Sequence, residues 1–368
     1  MKEFFKVTDL NQVLAQVSEF PRSGSEVLPL DQALGRVLAK DITAPEHLPD
    51  FSRATMDGYA VQASSTFGAS ESSPAFLSVN HSMGMGEAPT FTIGPGEACR
   101  ISTGGMLPGG TDSVVMIEHT EMLDETTIEI YRSVAPGQHV LEKGEDFSKN
   151  GLVLHKGQVL RPQEIGLLAA FGFETLPLHA RPIVGILSTG DEVVPIDKNP
   201  LPGQIRDINS FTLAGQVAAA GGIPTAHGIV PDNRDMLYDH CRQSLDCSDM
   251  LLISGGSSVG TRDFTIDILS ELPASDILVH GISIRPGKPT ILARVGNKAV
   301  WGLPGHVTSA MVVFDVVVRP FLEHVAGRRS TASGRLKIPA RLSRNISSAQ
   351  GRTDFIRVRL LDKEDGLW

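Results

Sequence analysis

A chain of 368 residues is too long for one hydrophobic core, and its net charge of −9 excludes a general nucleic-acid binder, which needs a basic surface to neutralise phosphates. Aromatic residues are only 5% while glycine (37) and proline (23) are plentiful, which favours short strands and turns over long helical bundles. Three scattered cysteines, Cys99, Cys241 and Cys247, exclude a disulfide framework or zinc pattern, and no stretch approaches the roughly 20 apolar residues that span a bilayer. The N-terminus also lacks the apolar run of a signal peptide, so the expectation is a soluble, cytoplasmic protein with neither nucleic-acid nor membrane partners.

In chain order, Thr8 to Val17 has the spacing of an amphipathic helix with Thr8 as N-cap, and Leu30 to Leu38 repeats apolar residues at helical intervals. From Pro45 to about Gly137 the texture changes to short β-like runs at 75–79, 98–101, 113–118 and 127–131, separated by Gly, Pro and Ser turns. Helical sequence resumes at 162–171, where Pro162 suits a helix start. The simplest arrangement is a β-rich module, 45–139, inserted into a helical and β linker domain built from 1–44 and 140–177.

From 178 to 327 strand-like and helix-like runs alternate. Strands are predicted at 182–188, 250–254, 289–295 and 298–303, and helices at 210–220, 265–271 and 308–326. That alternation predicts a doubly wound α/β domain with a mainly parallel sheet. The final segment, 328–368, is polar with predicted strands at 335–342 and 355–361. It reads as an incomplete C-terminal β domain, because two or three strands bury no core alone.

Ligands of open α/β sheets bind beyond the carboxyl ends of the strands, which singles out several loops. Ser188-Thr189-Gly190-Asp191-Glu192 follows one predicted strand, Ser254-Gly255-Gly256-Ser257-Ser258 another, and Pro304-Gly305-His306 a third. Their glycines and hydroxyls are suited to an oxyanion, although neither the Walker A nor the GxGxxG pattern is present. Glu192, Asp207 and Asp263 stand beside these loops, and carboxylates near phosphates suit Mg²⁺; as single residues, Asp207 and Asp263 equally suit helix capping. Arg285 and Lys288 sit in a turn stiffened by Pro286, Gly287 and Pro289, suited to a tetrahedral oxyanion or, equally, to solvent. In the first half, Asp57, Thr103 and Asp146 fall in Gly-bearing turns to which composition assigns no role.

The segments ATMDGYAV (54–61), RISTGGMLPGGTDSVVMIE (100–118), KGEDF (143–147), GILSTGDEVV (185–194), IRDINS (205–210), LLISGGSSVGTRDF (251–264), IRPGKP (284–289) and GLPGHVTSA (302–310) resemble, in this order, the molybdopterin molybdenumtransferase family. The resemblance implies an elongated homodimer whose subunit has a linker domain, an inserted β domain, a molybdopterin-binding α/β domain and a C-terminal β-barrel. It implies insertion of molybdenum from molybdate into adenylyl-molybdopterin, with Mg²⁺, to give molybdenum cofactor and AMP. A pterin adenylyltransferase and molybdoenzyme apoproteins are the implied further partners.

Residue by residue, the resemblance places Asp57 across the dimer interface, Thr103 in the same cleft and Asp146 near its floor. It gives Glu192, Asp207 and Asp263 to Mg²⁺ or the pyrophosphate, and Ser254, Gly255, Gly256, Ser257 and Ser258 to phosphate, with Pro304 and Gly305 in the adjoining binding turn. Arg285, Lys288 and Ser309 fall to molybdate. Arg285, His306 and Val307 depart from the usual family residues Lys, Asn and Pro, which leaves tungstate as an alternative metal. A non-catalytic pterin-binding scaffold and a pterin adenylyltransferase are the competing functions.

Overall fold

The computed structural model describes residues 7–255, 262–329, 338–363 and 366–367. It divides into two compact units, one made of Met1–Lys40, Lys156–Gly166 and Glu174–Trp368, the other of Asp41–His155 and Leu167–Phe173. No described helix is long and apolar enough to cross a membrane.

The unit around 41–155 is built on a six-stranded sheet. Its strands are β1 (Gly58–Val61), β2 (Ala75–Met83), β3 (Glu97–Ile101), β4 (Ser113–Met116), β5 (Thr120–Met122) and β6 (Thr127–Ile130), in the order β4-β1-β3-β2-β6-β5. Only the β2–β3 pairing is parallel. Side chains alternate across a strand, so Tyr59 and Val61 pack with Leu77, Val115 and Ile128 while Ala60 packs with Met83, Cys99 and Val114. Both faces are therefore covered, which is why β1 reads as an unbroken apolar run.

The other unit carries β7 (Ile183–Thr189), β8 (Ile223–Val230), β9 (Met250–Ser254), β10 (Ser275–His280), β11 (Ile291–Val295) and β12 (Lys298–Leu303). Their order is β8-β7-β9-β12-β11-β10. The first four strands are parallel, and β11 and β10 join antiparallel. Helices α3 (Asn209–Ala219), α4 (Arg234–Asp246) and α5 (Arg262–Glu271) follow β7, β8 and β9; α1 (Leu10–Ala15) and α2 (Pro162–Ala170) precede them in the chain.

Both faces of this sheet are covered. Val184, Ile186, Leu252 and Trp301 pack against Val13 of α1, Leu213 and Val217 of α3, and Phe314 and Phe321 beyond β12. Leu187, Leu251, Ile253 and Val300 pack against Leu237 and Leu245 of α4 and Ile268 and Leu269 of α5. A parallel strand buried on both sides needs apolar residues at every position, and every residue of β9 is buried. The mainly parallel, doubly wound reading therefore holds, with a mixed edge. β8 pairs on one side of β7 and β9 on the other, so connections leave in opposite directions and a topological switch point lies between β7 and β9.

Several local expectations change. Asp9, not Thr8, caps α1, its carboxylate accepting the Asn11 N–H. Leu30 to Leu38 is a single 3₁₀ turn, Leu30–Gln32; Gly35 takes φ +74°, and Val37 and Leu38 bridge to Val159 and Leu178. The predicted helix at 308–326 is one helical run from Val307 to Val325, with a π-helical stretch at Phe314–Val318. Of the predicted strand at 335–342, residues 335–337 lie outside the described residues, and 338–342 are not strand. Residues 355–361 are not strand either; the ladder there is Thr353–Asp354, parallel to Ile284–Arg285.

Candidate functional site

Two parallel strands end in small polar residues at the switch point, and a glycine-bearing turn follows a third. Ser188 and Thr189 end β7, Ser254 ends β9, and Gly305 and His306 follow β12; together with Glu192, Asp207, Asn209, Asp232 and Gly255 they line a cavity of about 380 Å³. Asp207 is buried. Its Oδ1 accepts the Ser188 hydroxyl at 2.9 Å and the Ser210 backbone N–H at 3.0 Å. Ser188 has one proton, given to Asp207, so the hydroxyls of Ser210 (3.0 Å) and Ser254 (3.3 Å) donate to it. The carboxylate thus caps the start of α3 and also anchors a chain of hydroxyls across two strand ends.

Gly255 makes the close approach of these ends possible. It has φ +119°, and a Cβ there would stand 2.1 Å from the Thr189 carbonyl oxygen. At the rim, Asp232 donates its backbone N–H to Asp191 Oδ1 at 3.0 Å. Burial, then the charges of Asp191 and Glu192, push the Asp232 carboxyl above the usual range. Two oxygens of this wall, Thr189 Oγ1 and Asn209 Oδ1, are out of solvent without a hydrogen-bond partner.

A second cavity in the same unit, about 590 Å³, is lined by Arg285, Lys288, Ser309 and Arg352. Gly287 takes φ +109° in the turn that carries the first two cations; a Cβ there would stand 2.3 Å from Val313 Cγ2, so only glycine lets the turn lie against the helix. The Thr353–Asp354 ladder brings Arg352 to this wall, where its Nε stands 2.8 Å from Asp354 Oδ1. The segment after β12 serves both cavities: Gly305 and His306 line the first, and Ser309, at the start of the helix that follows, the second.

In the other unit, exposed Asp57 accepts both the backbone N–H (2.6 Å) and the hydroxyl (2.9 Å) of Thr103 through Oδ1. The backbone bond first, and the hydroxyl second, hold its carboxyl below the usual range. A depressed folded pKa means that this contribution to stability is present above the unfolded value and is lost as pH falls through the folded one. A ¹³C titration of Asp57 is expected to show a midpoint below that of Asp57 in the Thr103→Val variant, whose side chain cannot donate; equal midpoints contradict the hydroxyl's part.

The structure brings Glu192, Asp207, Ser254, Gly255 and Gly305 together in one cavity, and Arg285, Lys288 and Ser309 in another. Pro304 is buried at the end of β12. Asp146 is exposed in a turn and donates its backbone N–H to the Leu48 carbonyl. Gly256, Ser257 and Ser258 lie outside the described residues, as does the side chain of Asp263 in the first turn of α5. Among the lining residues not singled out from the sequence are Asn209, Asp232 and Arg352.

A doubly wound α/β unit with a polar cavity at its switch point belongs to the class of proteins that hold a ligand beyond the carboxyl ends of their strands. Residues 6–172 match the family model described as "MoeA N-terminal region (domain I and II)", and 185–324 match the "Probable molybdopterin binding domain". The chain is 34% identical to the molybdopterin molybdenumtransferase of Bacillus subtilis, covering 85% of this chain and 74% of the relative. It is likewise 34% identical to that of Haemophilus influenzae, covering 93% and 83%. A crystal structure of the molybdopterin biosynthesis MoeA protein of Pyrococcus horikoshii superposes with TM-score 0.84 at 30% identity, covering 98% of this chain and 89% of that one. This chain belongs to the molybdopterin molybdenumtransferase family.

Proposed function

We propose that the protein inserts molybdenum into molybdopterin during cofactor biosynthesis, taking adenylyl-molybdopterin and molybdate and releasing AMP. The observation that carries this reading is the segment 305–309, a turn leading into a helix, which lines a hydroxyl- and carboxylate-walled cavity with Gly305 and His306 and a cation-lined cavity with Ser309. A phosphorylated pterin suits the first, and a tetrahedral oxyanion suits the second, where Arg285, Lys288 and Arg352 supply positive charge and Ser309 a hydroxyl.

Cleaving the phosphoanhydride adds water across one P–O–P bridge, giving AMP and the pterin's phosphate ester. Such a reaction needs positioning and charge neutralisation more than covalent help. The Asp207–Ser188–Ser254 network fixes the cavity wall, and Gly255 lets the backbone approach closely.

Mg²⁺ fits the residues present. Glu192, Asp207 and Asp232 line one cavity, and burial first, then the charges of Asp191 and Glu192, push the Asp232 carboxyl up; a cation would offset the charge part. No group of three or more His, Cys, Asp or Glu placed to hold a metal occurs among the described residues. Mg²⁺ needs none, since it keeps several waters and binds through one or two carboxylates plus substrate phosphate. Glu192 and Asp207 are the residues that would hold it, with Asp263 of α5 as the third carboxylate of this reading; bound, it neutralises phosphate charge. The same reading makes the active protein a cytoplasmic homodimer, with Asp57 and Thr103 as further site residues.

Reconstitution of a molybdenum-free apoenzyme tests the function. Its activity is expected to appear only when this chain, adenylyl-molybdopterin, molybdate and Mg²⁺ are all supplied. Equal activity without the chain contradicts the proposal.

A further inference from the structure

We infer that Asn209 is a positioning and specificity residue, holding the 305–309 segment with one end of its amide and reading an exocyclic amino group of the substrate with the other. The inference rests on the function proposed above. Asn209 opens α3, directly after the strand end and loop that form the first cavity. Its Nδ2 donates to the Gly305 carbonyl at 2.8 Å. That bond fixes the amide orientation, because the flipped amide would set oxygen against oxygen. Asn209 is one of the residues that line the cavity, and its other amide end, Oδ1, is out of solvent with no hydrogen-bond partner.

A buried amide oxygen left without a donor costs about 1–3 kcal/mol, so a group that supplies one binds with a corresponding gain. Phosphate groups only accept and cannot satisfy it. In a substrate made of a pterin, phosphates and adenosine, the donors are the ring N–H and exocyclic amino groups of the two heterocycles and the ribose hydroxyls; the amide oxygen is assigned to an amino group, which the paired compounds below vary. Thr189 Oγ1 stands on the same wall, also without a partner, and a hydroxyl can both give and take a proton in such an edge contact. The Nδ2 bond to Gly305 ties this recognition to the segment that also carries Ser309 into the cation-lined cavity. Asn209 thereby holds the heterocycle and the oxyanion wall in one register.

Paired titrations test this on the full chain. Each pair exchanges one amino group for a carbonyl, with a proton gained on the adjacent ring nitrogen: 6-carboxypterin against 6-carboxylumazine, and AMP against IMP. The wild-type protein is expected to prefer the amino compound about ten-fold in one pair, the worth of one hydrogen bond at a buried acceptor. The pair concerned identifies the heterocycle. In Asn209→Ala, checked for an unchanged fold by circular dichroism, that preference falls to within about two-fold. Asn209→Ser is read the same way should the alanine variant not fold.

A preference that survives both substitutions overturns the inference. So does an equal loss of affinity for both members of a pair, which is what a merely structural role would give, or the absence of any preference in the wild type. Loss of Mg²⁺ dependence with both preferences intact gives the oxygen to the metal and also overturns it. Molybdate-dependent turnover of the wild type, measured alongside, shows whether the underlying function stands independently.

Discussion

Asp207→Asn is expected to fold normally and to lose about 100-fold or more in turnover, equivalent to roughly 2.7 kcal/mol of transition-state stabilisation. Asparagine can keep an oxygen where Asp207 Oδ1 accepts the Ser188 hydroxyl and the Ser210 N–H, so the start of α3 and the linked strand ends stay in place. What it removes is the ionisable group on the cavity wall. Asp207→Ala removes both. The hydroxyls of Ser188, Ser210 and Ser254 then lose their terminal acceptor in a buried setting, which costs about 1–3 kcal/mol of stability as well. The two variants, compared by kcat and by thermal melting, separate the chemical role from the structural one. An Asp207→Asn protein with wild-type turnover would reduce Asp207 to a helix cap.

Lys288→Ala is expected to raise the molybdate concentration for half-maximal rate by about 10- to 100-fold, while the requirement for the adenylylated pterin moves less than three-fold. The reason is the separation of the lining residues: Lys288 belongs to the cation-lined cavity with Arg285, Ser309 and Arg352 and does not line the carboxylate-walled one. Loss of one cation from a cluster weakens an oxyanion more than a ligand held elsewhere. Steady-state kinetics with each substrate varied in turn gives the answer. Equal effects on both requirements contradict the assignment of this cavity to molybdate.

The central α/β unit was legible because its inner strands are buried on both faces and read as unbroken apolar runs, as β7, β9 and β12 do. Their carboxyl ends then located Glu192, Asp207, Ser254 and Gly305 without further help. The edge strand β8 hid itself, since most of its residues are exposed or half-buried. Asp232, two residues beyond it, was hidden with it. α4 was equally quiet, a polar helix whose buried stripe includes Leu237, Cys241, Ser244 and Leu245. The apolar spacing of Leu30 to Leu38 misled for a different reason: Gly35 breaks the run, and the remaining apolar residues meet strands distant in sequence. Arg352 reaches its cavity through the pairing of Thr353–Asp354 with Ile284–Arg285, a contact between segments some 70 residues apart that no local pattern announces. The alternation in 355–361 looked like a strand, yet a strand needs a ladder partner, and none is formed there among the described residues.

The most direct measurement is AMP release from adenylyl-molybdopterin with Mg²⁺, in the presence and absence of molybdate, with tungstate in parallel. Release that depends on molybdate is the predicted result, and the tungstate reaction shows whether Arg285 and His306 shift the metal preference. No release from a protein that binds the pterin contradicts metal insertion and leaves a binding scaffold in its place.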